Sequence, residues 1–98
     1  MPGWILRTSD DKPVVIRLMP GTSKTVGRAV QADFILETGL SSRVHCRLTA
    51  DKSNQLIVED LESTNGTAVN GKLVDRAVLK HGDQVTIGRV NLTVEEDA

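Results

Sequence analysis

Three short stretches of the chain gather side chains suited to holding an anion. Gly27-Arg28 places a guanidinium where an apolar strand is expected to end, and Ser41-Ser42-Arg43 sets two hydroxyls beside a second guanidinium. Ser63-Thr64-Asn65-Gly66 adds two more hydroxyls, an amide, and a glycine free to take positive φ and so turn backbone N–H groups toward one point. A phosphoryl group presents three acceptor oxygens and about −1.5 to −2 charge, so it is held by several charge-assisted bonds in a fixed array. If the fold brings the loops 37–43 and 61–66 to one end beside Arg28, the result is a small concave cluster of donors, and a phosphate dianion is its natural guest. Taken singly, Arg28 is an ordinary surface arginine, and Ser42 and Thr64 are ordinary turn hydroxyls satisfying local backbone donors.

The rest of the composition leaves the anion site local. Twelve Lys+Arg against thirteen Asp+Glu give a formal net charge of −1, which supplies no global field toward nucleic acid or an anionic membrane. At 98 residues and 39% apolar content, the chain has material for one compact core, so residues 1–98 read as a single domain. Its ordered part is expected to span about 4–94, with 95–98 an acidic tail or the beginning of a linker. The lone cysteine, Cys46, excludes an intrachain disulfide and has no metal-ligand spacing; in phase with Val44 and Leu48 it reads as a small core residue. No apolar run approaches the length of a membrane span, and the first residues lack the flank and apolar stretch of a signal peptide. The chain is therefore expected to be soluble and intracellular, with no cofactor and no bound metal.

The elements that must position the three stretches read as short strands. Val14, Ile16 and Leu18 alternate with Val15 and Arg17 before the turn at Pro20-Gly21; Val44, Cys46, Leu48 and Ala50 alternate with His45, Arg47 and Thr49; Leu56 and Val58 follow the turn Asp51-Lys52-Ser53-Asn54. Phe34-Ile35-Leu36 is a short apolar run. Asn70-Gly71 between Thr67-Ala68-Val69 and Lys72-Leu73-Val74 is a strong hairpin signal, and the Asn70 side chain is placed to help fix a neighbouring loop. Val85 and Ile87, then Gly88-Arg89, then Val90, Leu92 and Val94 read as a second hairpin, and His81 as a loop histidine. No window carries a helical apolar period, and turn signals recur about every 8–12 residues, so the fold is all-β. With aromatics at only 2%, aliphatic side chains fill the core around two large pieces, Trp4 and Phe34.

Gly27-Arg28, Ser42-Arg43-Val44-His45, the run Asp60-Leu61-Glu62-Ser63-Thr64-Asn65-Gly66-Thr67-Ala68-Val69-Asn70-Gly71, and Gly82-Asp83 before a strand together resemble forkhead-associated domains in order and spacing, from about residue 4 to residue 94. The resemblance implies an eleven-stranded β-sandwich of two twisted, mainly antiparallel sheets with ligand loops at one end. It implies binding of phosphothreonine, in preference to phosphoserine, on a partner protein or peptide. Carried over residue by residue, Arg28, Ser42, Arg43 and Thr64 would bind phosphate and Asn65 the peptide backbone. Gly27, His45 and Gly66 would support the loops, with His45 bracing one from beneath. Leu40, Ala68 and Val69 are the candidates for reading residues beside the phosphothreonine; Leu40, where some members of the family carry a basic side chain, points to an apolar or undemanding neighbour.

The function expected on this reading is recruitment of a parent protein to a phosphorylated partner, without enzymatic activity, without direct nucleic-acid or membrane contact, and as a monomer when isolated. The position near an N-terminus resembles that in a nibrin-like DNA-repair adaptor, which would imply a nuclear place and a role in the DNA-damage response. Two other readings compete. One is a structural or oligomerisation domain that holds a partner through a sheet face without phosphate. The other is a small hydrolase using His45 and Asp60; adjacent residues of a strand point to opposite faces, so His45 and Cys46 do not form a nucleophile–base pair.

Overall fold

Alternating side chains can bury only one face of a strand, so the chain needs two sheets laid face to face, and a computed structural model has that arrangement. It describes residues 3–9, 13–27, 33–35, 44–88 and 90–97. Among the described residues there are eleven strands: β1 (Trp4–Arg7), β2 (Val15–Leu18), β3 (Thr22–Gly27), β4 (Phe34–Ile35), β5 (Cys46–Ala50), β6 (Leu56–Asp60), β7 (Thr67–Val69), β8 (Lys72–Val74), β9 (Arg76–Leu79), β10 (Gln84–Ile87) and β11 (Val90–Glu96). A six-stranded sheet runs β2-β1-β11-β10-β7-β8 and a five-stranded sheet β4-β3-β5-β6-β9. Every pair is antiparallel except β3 with β4. No helix occurs among the described residues.

The inner faces supply one continuous core. Leu6, Ile16, Leu18, Val85, Ile87, Leu92 and Val94 come from the six-stranded sheet, and Val26, Cys46, Leu48, Ala50, Leu56, Val58 and Leu79 from the other. Each fully buried aliphatic side chain contributes about 1.5–3 kcal/mol relative to exposure, so this period-2 set is what fixes the register. Trp4 belongs to the core, and its indole N–H donates to the Asn54 carbonyl at 3.0 Å, tying β1 to the turn between β5 and β6. The Phe34 side chain lies outside the described residues, as does Leu36.

Several strands differ from the sequence pattern. The strand leading to Gly27 was expected to be apolar, but β3 reads Thr-Ser-Lys-Thr-Val-Gly and buries only its last two residues. It is held mainly by pairing with β5, from Thr22 opposite Ala50 to Val26 opposite Cys46. Neither β1 nor β9 alternates apolar with polar residue types, although burial in β9 does alternate. In β1, Trp4, Ile5 and Leu6 are all buried, and in β9 Ala77 and Leu79 turn inward while Val78 is half exposed.

The hairpins form as the turn chemistry dictates. Asn70 and Gly71 take φ of 51° and 85° between β7 and β8, the left-handed pair that a two-residue turn matching strand twist requires. Asn70 also locks this turn to the start of β10: its carbonyl oxygen Oδ1 accepts from Gln84 N at 3.0 Å, and its Nδ2 donates to Asp83 Oδ1 at 3.1 Å.

Register determines what meets at the other end. Val26 lies opposite Cys46, and Cys46 opposite Asp60, while Thr67 lies opposite Ile87. The end of β3, the residue before β5, the segment 61–66 and the end of β10 therefore converge at one edge of the sandwich.

Candidate functional site

The convergence is built around His45. It precedes β5, and its backbone N–H donates to the Val26 carbonyl at 2.8 Å while its own carbonyl accepts from Leu61 N at 3.0 Å. The side chain is fully buried, and Nε2 lies 2.7 Å from the Gly66 carbonyl oxygen. A carbonyl can only accept, so Nε2 carries the proton and donates. One residue thus joins the end of β3 to both ends of the segment 61–66. The alternation that exposes Arg47 does not extend back to His45: both His45 and Cys46 are buried, because His45 stands outside the strand and has a dedicated acceptor.

Asp60 organises the same segment from the other side. Its Oδ2 accepts from Ser63 N at 3.1 Å, and its Oδ1 accepts from the Ser63 hydroxyl and from Thr67 Oγ1, the latter at 2.8 Å. An aspartate accepting bonds from residues three and seven positions ahead forces the chain between them to curl. Glu62 accordingly takes φ of 54° and Gly66 φ of 81°. Burial pushes the Asp60 carboxyl upward, but the hydroxyls of Ser63 and Thr67, the Ser63 N–H and the nearby His45 together hold it below the usual carboxylate range.

Gly66 is constrained twice. Its φ lies in the region where L side chains are strained, and an added Cβ would come within 2.8 Å of Leu73 Cδ2. Thr64 and Asn65 stand exposed on the segment that His45 and Asp60 shape. Gly27 is the buried last residue of β3, in register with Ile35. Arg28, Leu40, Ser42 and Arg43 lie outside the described residues.

The candidates for selectivity separate. Val69 packs against the core, whereas Ala68 is half-buried in register with Leu73. Leu73 itself, not singled out from sequence, is 74% exposed beside Gly66. Asp60, the partner of His45 in the hydrolase reading, shapes this loop instead. The Asp-x-x-Ser spacing and the threonine after Gly66 are the signal of its loop-forming role.

The pair His45 and Asp60 is not arranged as a catalytic base with its orienting carboxylate. Asp60 Oδ1 stands 4.0 Å from Nε2, which is engaged with the nearer Gly66 carbonyl, and that oxygen already accepts from Ser63 and Thr67. Cys46 is no nucleophile either: burial, then the Asp60 charge, push its thiol up to about 12.

Comparison with known proteins agrees with this geometry. The FHA domain family model matches residues 24–88, and the chain belongs to that family, the forkhead-associated domains. It is 43% identical over 75 residues to an ABC transporter ATP-binding/permease protein of Mycobacterium tuberculosis, a match covering 76% of this chain and 8% of that protein. It is 40% identical over 68 residues to the glycogen accumulation regulator GarA of the same species, covering 69% of this chain and 41% of the regulator. The chain thus matches less than half the length of each of these relatives. Among solved structures, an FHA domain studied for phosphothreonine-dependent interactions superposes with a TM-score of 0.89 at 30% identity, covering 98% of each chain.

The likeness to a nibrin-like DNA-repair adaptor, with its nuclear and DNA-damage associations, gains no support from these mycobacterial relatives. The residues near that N-terminus have a reason in the fold: Trp4, Ile5 and Leu6 belong to the buried strand β1.

Proposed function

We propose that the chain is a phosphopeptide reader: it binds a phosphothreonine-containing segment of a partner protein at the edge where β3, His45 and the segment 61–66 converge, and recruits its parent protein to that partner. The observation that carries this reading is the pre-shaped segment 61–66, pinned by His45 on Gly66 and by Asp60 on Ser63 and Thr67, which presents Thr64 and Asn65 outward. A loop already held in one conformation loses little entropy on binding. Phosphothreonine-dependent interaction of the similar solved FHA domain supports the choice of ligand.

Thr64, Arg28, Ser42 and Arg43 are assigned to the phosphate and Asn65 to the peptide backbone. Gly27, His45 and Gly66 are assigned to support. Binding changes location and affinity but transforms no substrate, and the isolated domain acts as a monomer.

The test is a calorimetric titration with one peptide in three forms: phosphothreonine, phosphoserine and unphosphorylated threonine, drawn from an oriented library. Saturable binding that needs the phosphate and favours threonine is the expected result. Equal binding of the unphosphorylated form would favour a scaffold that holds partners through a sheet face.

A further inference from the structure

A pocket of about 190 Å³ opens beside Gly66, lined by Asp60, Gly66, Thr67, Leu73, Val74 and Asp75. It lies where the chain crosses from β8 of one sheet to β9 of the other through Asp75. The crossover is fixed to the neighbouring segment, since Asp60 N donates to the Asp75 carbonyl at 2.8 Å.

The walls differ in chemistry. Val74 packs against the core while Leu73 stands 74% exposed with its Cδ2 close over Gly66, so one side of the pocket is aliphatic. A side chain at Gly66 would crowd this space. The rest of the lining comes from two acidic residues, Asp60 and Asp75. Asp60 has its acceptors engaged by Ser63 and Thr67, whereas the exposed Asp75 carboxylate makes no hydrogen bond or ion pair among the described residues. An apolar wall ending in negative charge matches a side chain with an aliphatic stem and a cationic head. It does not match a second acidic or phosphorylated residue.

The geometry points to a subsite for a lysine or arginine of the phosphorylated partner, flanking the phosphothreonine in the same peptide, with its methylenes on Leu73 and Val74 and its charge at Asp75. This rests on the reading of the segment 61–66 as the phosphopeptide site. Gly66 directly follows Asn65, the residue assigned to the peptide backbone, and an extended peptide advances about 3.3–3.6 Å per residue, so a flanking side chain reaches the pocket. Leu73, rather than Val69, is then the residue of the β7–β8 hairpin that takes part in selectivity.

The experiment places lysine, arginine, glutamate or alanine at each flanking position of an otherwise alanine-flanked phosphothreonine peptide, and titrates each into the wild type, Asp75→Asn and Leu73→Ser. At one position lysine or arginine should bind about threefold to fivefold tighter than alanine, the size expected of a partly exposed charge pair. Asp75→Asn should abolish that gain and Leu73→Ser reduce it, both leaving the alanine-flanked peptide unaffected. The Leu73 methyl resonances should shift with the lysine peptide and not with its alanine counterpart. A gain that survives Asp75→Asn, or no gain at any position while phosphothreonine still binds, overturns the subsite alone. Failure to bind any phosphopeptide overturns the reader assignment and the subsite with it.

Discussion

The imidazole of His45 and the carbonyl of Gly66, 21 residues apart in sequence, meet at 2.7 Å beneath the loop that exposes Thr64 and Asn65. A buried ring at the start of one strand therefore sets the height and direction of a loop that begins two strands' length away. This contact separates residues that would touch a ligand from residues that hold them in place.

Replacing His45 by alanine leaves the Gly66 carbonyl without its donor. An unsatisfied group of this kind costs about 1–3 kcal/mol, and the cavity adds to it. His45→Ala should lower the urea midpoint and weaken phosphopeptide binding together, measured by denaturation and calorimetry on the same preparation.

Gly66 and Gly71 share a left-handed backbone, with φ of 81° and 85°, but only Gly66 has a neighbour within 4 Å of an added Cβ. Each change to alanine should cost roughly 1 kcal/mol or more from backbone strain. Gly66→Ala should also reduce phosphopeptide affinity, while Gly71→Ala, at the far turn, should leave it intact. Equal loss of affinity in both would detach the loop conformation from binding.

Asp60 predicts an acid limb in stability. Its folded value lies below the usual one, so the unfolded chain binds more protons as pH falls. The contribution is complete above the unfolded value, near pH 4, and is lost as pH drops through the folded value. Asp60→Asn should be less stable at neutral pH and show a shallower decline in acid. Some decline should persist, because the Thr25 N–H, then its hydroxyl, also hold the exposed Asp33 carboxyl below its usual value. Urea midpoints of both proteins between about pH 2 and pH 7 give the comparison.

With its thiol pushed up to about 12 by burial and by the Asp60 charge, Cys46 should resist alkylation in the folded protein. Mass spectrometry should find iodoacetamide adducts accumulating only as denaturant unfolds the chain. Rapid labelling under native conditions would contradict its placement in the core.

Period-2 patterning made β5 and β6 readable, since Cys46, Leu48, Ala50, Leu56 and Val58 are all fully buried, and Asn70-Gly71 announced the β7–β8 hairpin. The same logic does not reveal β1, where three consecutive residues are buried, or β9, whose apolar run Ala77-Val78-Leu79 hides an alternating burial, and it fails for β3, whose polar residues are held by pairing instead of by apolar burial. His45 occupied a solvent-side position in the pattern because its acceptor comes from a distant loop, which no local rule reveals. The curl made by Asp60, Ser63 and Thr67 was legible in spacing, but its consequence for Gly66 required the fold. Leu73 carries no signal in the sequence, because an exposed leucine has meaning only beside the pocket it walls.

If this edge of the sandwich reads phosphate, Arg28→Ala must weaken binding without unfolding the protein. The wild type and the variant should give superimposable circular dichroism melts, while calorimetry with the best phosphothreonine peptide should find binding weakened roughly tenfold to a hundredfold, as the loss of one charge-assisted contact of about 1.5–3 kcal/mol requires. Undiminished binding by a folded Arg28→Ala protein would contradict the assignment.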